Sequence, residues 1–91
     1  MKTAYELAMA RLGGEVREYS DAQKQELAEV DKVHDAKAAQ AKLAADTRRA
    51  AAAGDAEKLA QVNQDLVVEL ASIESQRERK KTALRDKFGS P

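Results

Sequence analysis

His34 is the only histidine in the 91 residues, and acids surround it in the sequence. Asp31 stands three positions before it and Asp35 follows directly. On a helix, positions three apart share a face, so Asp31 and His34 could act together. A histidine beside carboxylates can serve as a metal ligand or as half of an acid–base pair. Glu74 is a further acid that a chain reversal near Gly54 would bring to the same level. One histidine and these acids are a thin donor set. The plainer expectation is a partly exposed histidine in a helix–helix seam, paired with an acid. No metal, cofactor or catalytic residue is expected.

Other chemistry finds less support. Ser20, Thr47, Ser72 and Thr82 have no adjacent histidine to serve as a base. Carboxylates are plentiful, but a helical pattern puts them on solvated faces with no pocket to shift their pKa. Gly13–Gly14 follows a helical pattern rather than a strand, which is not the context of a phosphate loop. The chain has no cysteine, so disulfides and thiolate metal sites are excluded. An enzyme and a small-molecule substrate are not expected.

One charged stretch stands out. Arg77, Arg79, Lys80, Lys81, Arg85 and Lys87 crowd the last fifth of the chain with only Glu78 and Asp86 between them. Such a run could contact phosphates. No aromatic is interleaved for base stacking. The chain as a whole carries 16 basic and 16 acidic residues, so it has no general attraction for nucleic acid or an anionic membrane.

The elements that would position these groups are helices. Composition dominated by Ala, Glu, Lys, Leu and Arg, with 35% charged residues and 3% aromatic, reads as long helix or coiled coil. Thr3 and Glu6 have capping-box spacing, and Tyr5, Ala8, Met9 and Leu12 then share a face. That predicts a short helix over 3–12, ended by the two glycines. Ser20 or Asp21 caps a second helical pattern, with Gln23 again in capping-box position. It runs unbroken to Ala53. Gly54 can take the left-handed conformation that closes a helix, and Asp55 follows at once as an N-cap. A third pattern then runs over 55–88. The two long patterns match in length, about 50 Å each at helical rise. The expected fold is all-α: one domain, 1–91, built as a long antiparallel helical hairpin, coiled-coil-like, with the short N-terminal helix packed on its open end.

Two stretches resemble something known. Lys2–Leu12, read as K-T-A-Y-E-L-A-M-A-R-L, and the turn Ala52–Asp55, read as A-A-G-D, are similar to short uncharacterised bacterial helical-hairpin proteins that turn at A-x-G-D. The resemblance implies the same helical layout. That group has no established activity, so the resemblance implies no catalytic residue.

Within the hairpin, Leu59, Asn63, Leu66, Leu70, Ile73, Arg77, Lys80 and Leu84 alternate steps of four and three, the heptad spacing. A fold centred on Gly54 sets Leu70 against Ala38, Leu66 against Ala41 and Asn63 against Ala45. Large side chains then meet small ones. At the open end Leu7, Met9 and Leu12 are expected to cover Leu27, Val30, Leu84 and Phe88. The acidic residues of 1–35 lie beside the basic run, which favours this orientation.

Val33, Leu43, Val62 and Val67 fall outside the expected seam. A two-helix chain cannot bury two apolar strips by itself. They are the expected interaction surface, for a homodimer or a protein partner. The expected function is a non-catalytic structural or protein-interaction hairpin. The alternative is a nucleic-acid or ribosome accessory factor using the basic run. No stretch is apolar enough to suggest a membrane span or a signal peptide, and the expected location is the cytoplasm.

Overall fold

Ser20 starts the first long helix by satisfying its free backbone amides. Its Oγ accepts from the Gln23 amide at 3.1 Å, and the Gln23 Oε1 accepts from the Ser20 amide at 2.9 Å. Both halves of the capping box are therefore formed. The computed structural model describes Ala4 and residues 19–89. In it α1 runs over Asp21–Ala51 and α2 over Ala56–Gly89, packed against each other as an antiparallel hairpin. There is no strand among the described residues, and no described helix is long and apolar enough to cross a membrane. The expected helix over 3–12, and its docking on the open end, lie outside the described residues.

The turn takes more chain than Gly54 alone. α1 ends at Ala51 and not at Ala53. Reversing direction between two packed helices means spanning an interaxial distance of about 8–10 Å, which one residue cannot do. Ala52–Gly54 make the span. The Asp55 amide donates to the Ala52 carbonyl at 2.9 Å, and the Ala52 amide to the Arg48 carbonyl at 2.9 Å. Gly54 has φ +87°, the expected left-handed conformation. Asp55 Oδ1 then accepts from the Lys58 amide at 3.0 Å and caps α2.

Nothing lies within 4 Å of a Cβ built on Gly54, so a side chain there meets open space and only the backbone objects. Gly54→Val is therefore expected to lower stability by ~1–2 kcal/mol through φ alone. For a chain of this size that is a fall of roughly 4–8 °C in melting temperature per kcal/mol. An unchanged melting curve would show that φ is not positive at Gly54 in solution.

The seam differs from the heptad expectation. On α2 the inward positions are Leu59, Val62, Leu66, Leu70, Ile73, Arg77, Lys81, Leu84 and Phe88, while Asn63 and Lys80 are exposed. On α1 they are Gln23, Leu27, Val30, His34, Ala38, Ala41, Ala45, Arg49 and Ala52. Both rows step by four, three and four residues and then repeat, a period of 11. Eleven residues in three turns is 3.67 per turn, close to the 3.6 of a straight helix. A 3.5 repeat would drift off the seam unless the helices supercoiled left-handedly. The hairpin keeps contact by moving inward from Asn63 to Val62 and from Lys80 to Lys81.

The tightest packing is near the turn. Ala41, Ala45, Ala52 and Val62 are each no more than 6% exposed. Ala41, Ala45, Val62 and Leu66 line one hollow of only about 30 Å³, which puts Leu66 and Ala41 at the same level of the seam. Small residues on α1 let the axes approach, and Val62 and Leu66 fill the space between. At the open end Tyr19 meets Phe88 edge to face, with ring centroids 5.9 Å apart.

Candidate functional site

His34 is fully buried, at 2% exposed, and no acid among the described residues pairs with it. That corrects the expectation of a partly exposed histidine beside a carboxylate. The ring folds back along α1, and Nδ1 lies 2.7 Å from the Val30 carbonyl oxygen. A carbonyl only accepts, so Nδ1 carries a proton. Nε2 is buried and has no hydrogen-bond partner among the described residues.

Asp31 and Glu74 are engaged elsewhere. Asp31 accepts from Lys81 Nζ at 3.0 and 3.1 Å and from Arg77 Nη1 at 3.4 Å. Glu74 accepts from Arg77 Nη2. This small cluster ties the start of α1 to the end of α2, with the acidic and basic ends arranged as the sequence predicts. Among the described residues no group of histidine and acids could hold a metal ion.

The hydrogen bond from Lys81, then the charges of Lys81 and Arg77, hold the Asp31 carboxyl below its ordinary value, against a partial desolvation that raises it. Arg48 and Gln61 lower Asp65 in the same way. A depressed carboxyl pKa means that the unfolded chain binds its proton first as pH falls. The stability that Asp31 contributes is therefore present above about pH 4 and lost below it, as pH falls through the folded value. Asp31→Asn is expected to melt lower than the parent at pH 7 and alongside it near pH 2. Parallel curves at both pH values would show that the Lys81–Asp31 contact does not persist in solution.

Near the turn, Arg48 and Arg49 both reach across to α2. Arg48 Nη2 donates to Asp65 Oδ2 at 2.9 Å, and Gln61 Nε2 donates to the other oxygen at 2.7 Å. Arg49 Nε donates to Asn63 Oδ1 at 2.9 Å, and Nη1 to Asp46 at 2.8 Å. Asn63, displaced from the seam, becomes the rim partner of Arg49.

The basic run divides between the two sides of α2. Arg77 and Lys81 turn inward to Asp31, whereas Arg79, Lys80, Arg85 and Lys87 are exposed, with Arg79 Nη2 3.3 Å from Ser75 Oγ. Two of the six candidate phosphate contacts are thus engaged within the hairpin.

Of the four residues expected to face a partner, three do face outward. Val33 is 39% exposed, Leu43 67% and Val67 67%. Val62 is the correction: at 4% exposed it belongs to the seam, because the 11-residue spacing puts it where the heptad put Asn63. Val68, at 63%, joins the outward set. The sequence carried that signal in the doublet Val67–Val68, of which a helix seam can take at most one.

A groove of about 300 Å³ opens between the helices near their open end. Val30, Val33, His34 and Leu84 form its apolar floor, and Glu26, Glu29 and Lys80 stand at its rim. Heptad spacing hid it, because Lys80 was assigned to the seam and not to the edge. Comparison with protein-family models, curated proteins and solved structures finds no match to this chain.

Proposed function

We propose that this protein is a non-catalytic interaction module, a helical hairpin that self-associates or docks on a partner helix. The observation that supports this is where the large aliphatic side chains lie. The seam near the turn is built largely from alanine, while Val33, Leu43, Val67 and Val68 face outward. A valine or leucine moved from water to a full contact contributes roughly 1.5–3 kcal/mol. A chain this small gains most from such burial, because alone it hides only about 60–65% of its unfolded surface. Pairing of two hairpins into a four-helix bundle is the simplest way to cover those on one side. The N-terminal stretch 3–12 has the pattern of an amphipathic helix and could cover part of the open end near Leu27 and Phe88.

Sedimentation equilibrium at micromolar concentration tests the reading. Twice the 9.9 kDa chain mass is expected. A single 9.9 kDa species would remove self-association and leave docking on another protein. The nucleic-acid alternative keeps only Arg79, Lys80, Arg85 and Lys87 as free-facing cations. Tight, salt-dependent RNA binding at physiological ionic strength would favour it.

A further inference from the structure

Three hollows follow one another along a single side of the hairpin. The groove at the open end includes Glu26 and Lys80, the middle hollow Arg48 and Glu69, and the one at the turn Arg48 and Lys58. The 11-residue period relates these rims. Glu26, Lys37 and Arg48 are equivalent positions on α1, and Lys80, Glu69 and Lys58 are equivalent positions on α2. Read from the open end to the turn, the α1 rim is acidic, basic, basic. The α2 rim is basic, acidic, basic.

We propose that this side is the interface with a second copy of the chain, and that the two copies lie turn beside turn. The inference rests on the self-association proposed above and adds the face and the orientation. A twofold axis parallel to the helices lays α1 of one copy on α2 of the other. All neighbouring helices are then antiparallel, as in an up-and-down bundle. Glu26 of each copy meets Lys80 of the other, and Lys37 meets Glu69. Symmetry makes each of these pairs twice. Only Arg48 and Lys58 meet as like charges, and Arg48 is already held by Asp65 at 2.9 Å.

The opposite arrangement, turn beside open end, lays α1 on α1 and α2 on α2. It brings Lys37 towards Lys37, Glu69 towards Glu69 and Lys58 towards Lys80, and leaves Glu26 with Arg48 as its one attractive pairing. Like charges in register cost affinity and exclude an orientation more effectively than attractive pairs select one. Val30, Val33 and Leu84 provide the apolar contact in the centre of the groove. Leu43 does not take part. It lies two residues from both Ala41 and Ala45, which puts it on the far side of α1.

The test uses charge reversal and one introduced thiol. Lys80→Glu alone, and Glu26→Lys with Glu29→Lys alone, each set like charges against each other in a self-dimer. Each is expected to sediment as monomer at a concentration where the parent is dimer. An equal mixture of the two restores both sets of pairs and is expected to return to dimer mass. All the changed residues are exposed, and circular dichroism of each variant checks that helix content is kept. The chain has no cysteine, so Ala53→Cys gives a single thiol at the turn. A short bismaleimide should join two copies there, since the thiols are neighbours in this arrangement and a helix length apart in the other.

A parent dimer whose mixture is not restored, or which fails to cross-link, would overturn this interface while leaving self-association intact. Loss of the dimer in Leu43→Lys with the charge variants unaffected would do the same and move the contact to the far side. A monomeric parent would overturn both readings. If a parent monomer becomes dimeric on removal of residues 1–14, the groove is occupied by the chain's own N-terminal segment in place of a second copy.

Discussion

Ala45→Glu is expected to unfold the hairpin or nearly so. Ala45 is 4% exposed, in the closest part of the seam, where it meets Val62 and Leu66 across a cavity of about 30 Å³. A carboxylate there has no room, and Arg48, the cation that also lines the hollow, is already held by Asp65. Leaving a charge buried without a partner costs about 3–5 kcal/mol, much of the total stability of a small domain. Helix propensity does not account for the effect, since Glu is nearly as good a helix former as Ala. Ala39→Glu supplies the control. Ala39 is exposed on the same helix, and the same change there is expected to leave the melting temperature within a few degrees. Helical circular dichroism through a thermal melt separates the two. Equal melting of both variants would mean that α1 does not turn Ala45 towards α2.

His34→Leu is expected to raise stability, which is unusual for a change at a fully buried residue. The Nε2 atom of His34 is buried without a hydrogen-bond partner among the described residues. An unsatisfied buried polar atom costs about 1–3 kcal/mol, and leucine of similar bulk removes it. Little is lost in exchange, because the Val30 carbonyl that takes the Nδ1 proton also accepts the helical amide bond four residues on. The melting temperature should rise by several degrees. His34→Asp keeps a polar group and adds a charge in the same place, and should fall well below the parent. A lower melting temperature for His34→Leu would show that Nε2 has a partner in solution, and the groove beside it would be the place to find that partner.

Two of the residues that matter most in these experiments were misplaced by spacing alone, and the cause is the same for both. The heptad and 11-residue patterns share most of their positions along α2 and differ by one residue at 62/63 and again at 80/81. Leu59, Leu66, Leu70, Ile73 and Leu84 satisfy both, so the apolar residues could not decide between them. Asn63 against Val62 and Lys80 against Lys81 were the deciding pairs. A histidine beside two acids suggests a half-exposed, solvated ion pair, and His34 is not one. It is buried because it occupies one row with Val30, Ala38 and Ala41, and because Asp31 turns to Lys81 and Arg77.

The sequence by itself determined where the helices begin, where the chain reverses and which way the hairpin runs. These are decided by contacts between residues three or four apart: Ser20 with Gln23, Asp55 with Lys58, and the positive φ that Gly54 alone accepts without strain. Such contacts are local, and residue types at fixed spacing specify them. The tertiary structure decided the rotation of each helix about its own axis. Rotation depends on how both helices pack along their whole length. It follows from the fit of Val62 and Leu66 against Ala41 and Ala45, and from the arginine contacts to Asp65 and Asn63. That rotation placed Val62 inside and Lys80 at the rim, buried His34 without an acid, and opened the groove.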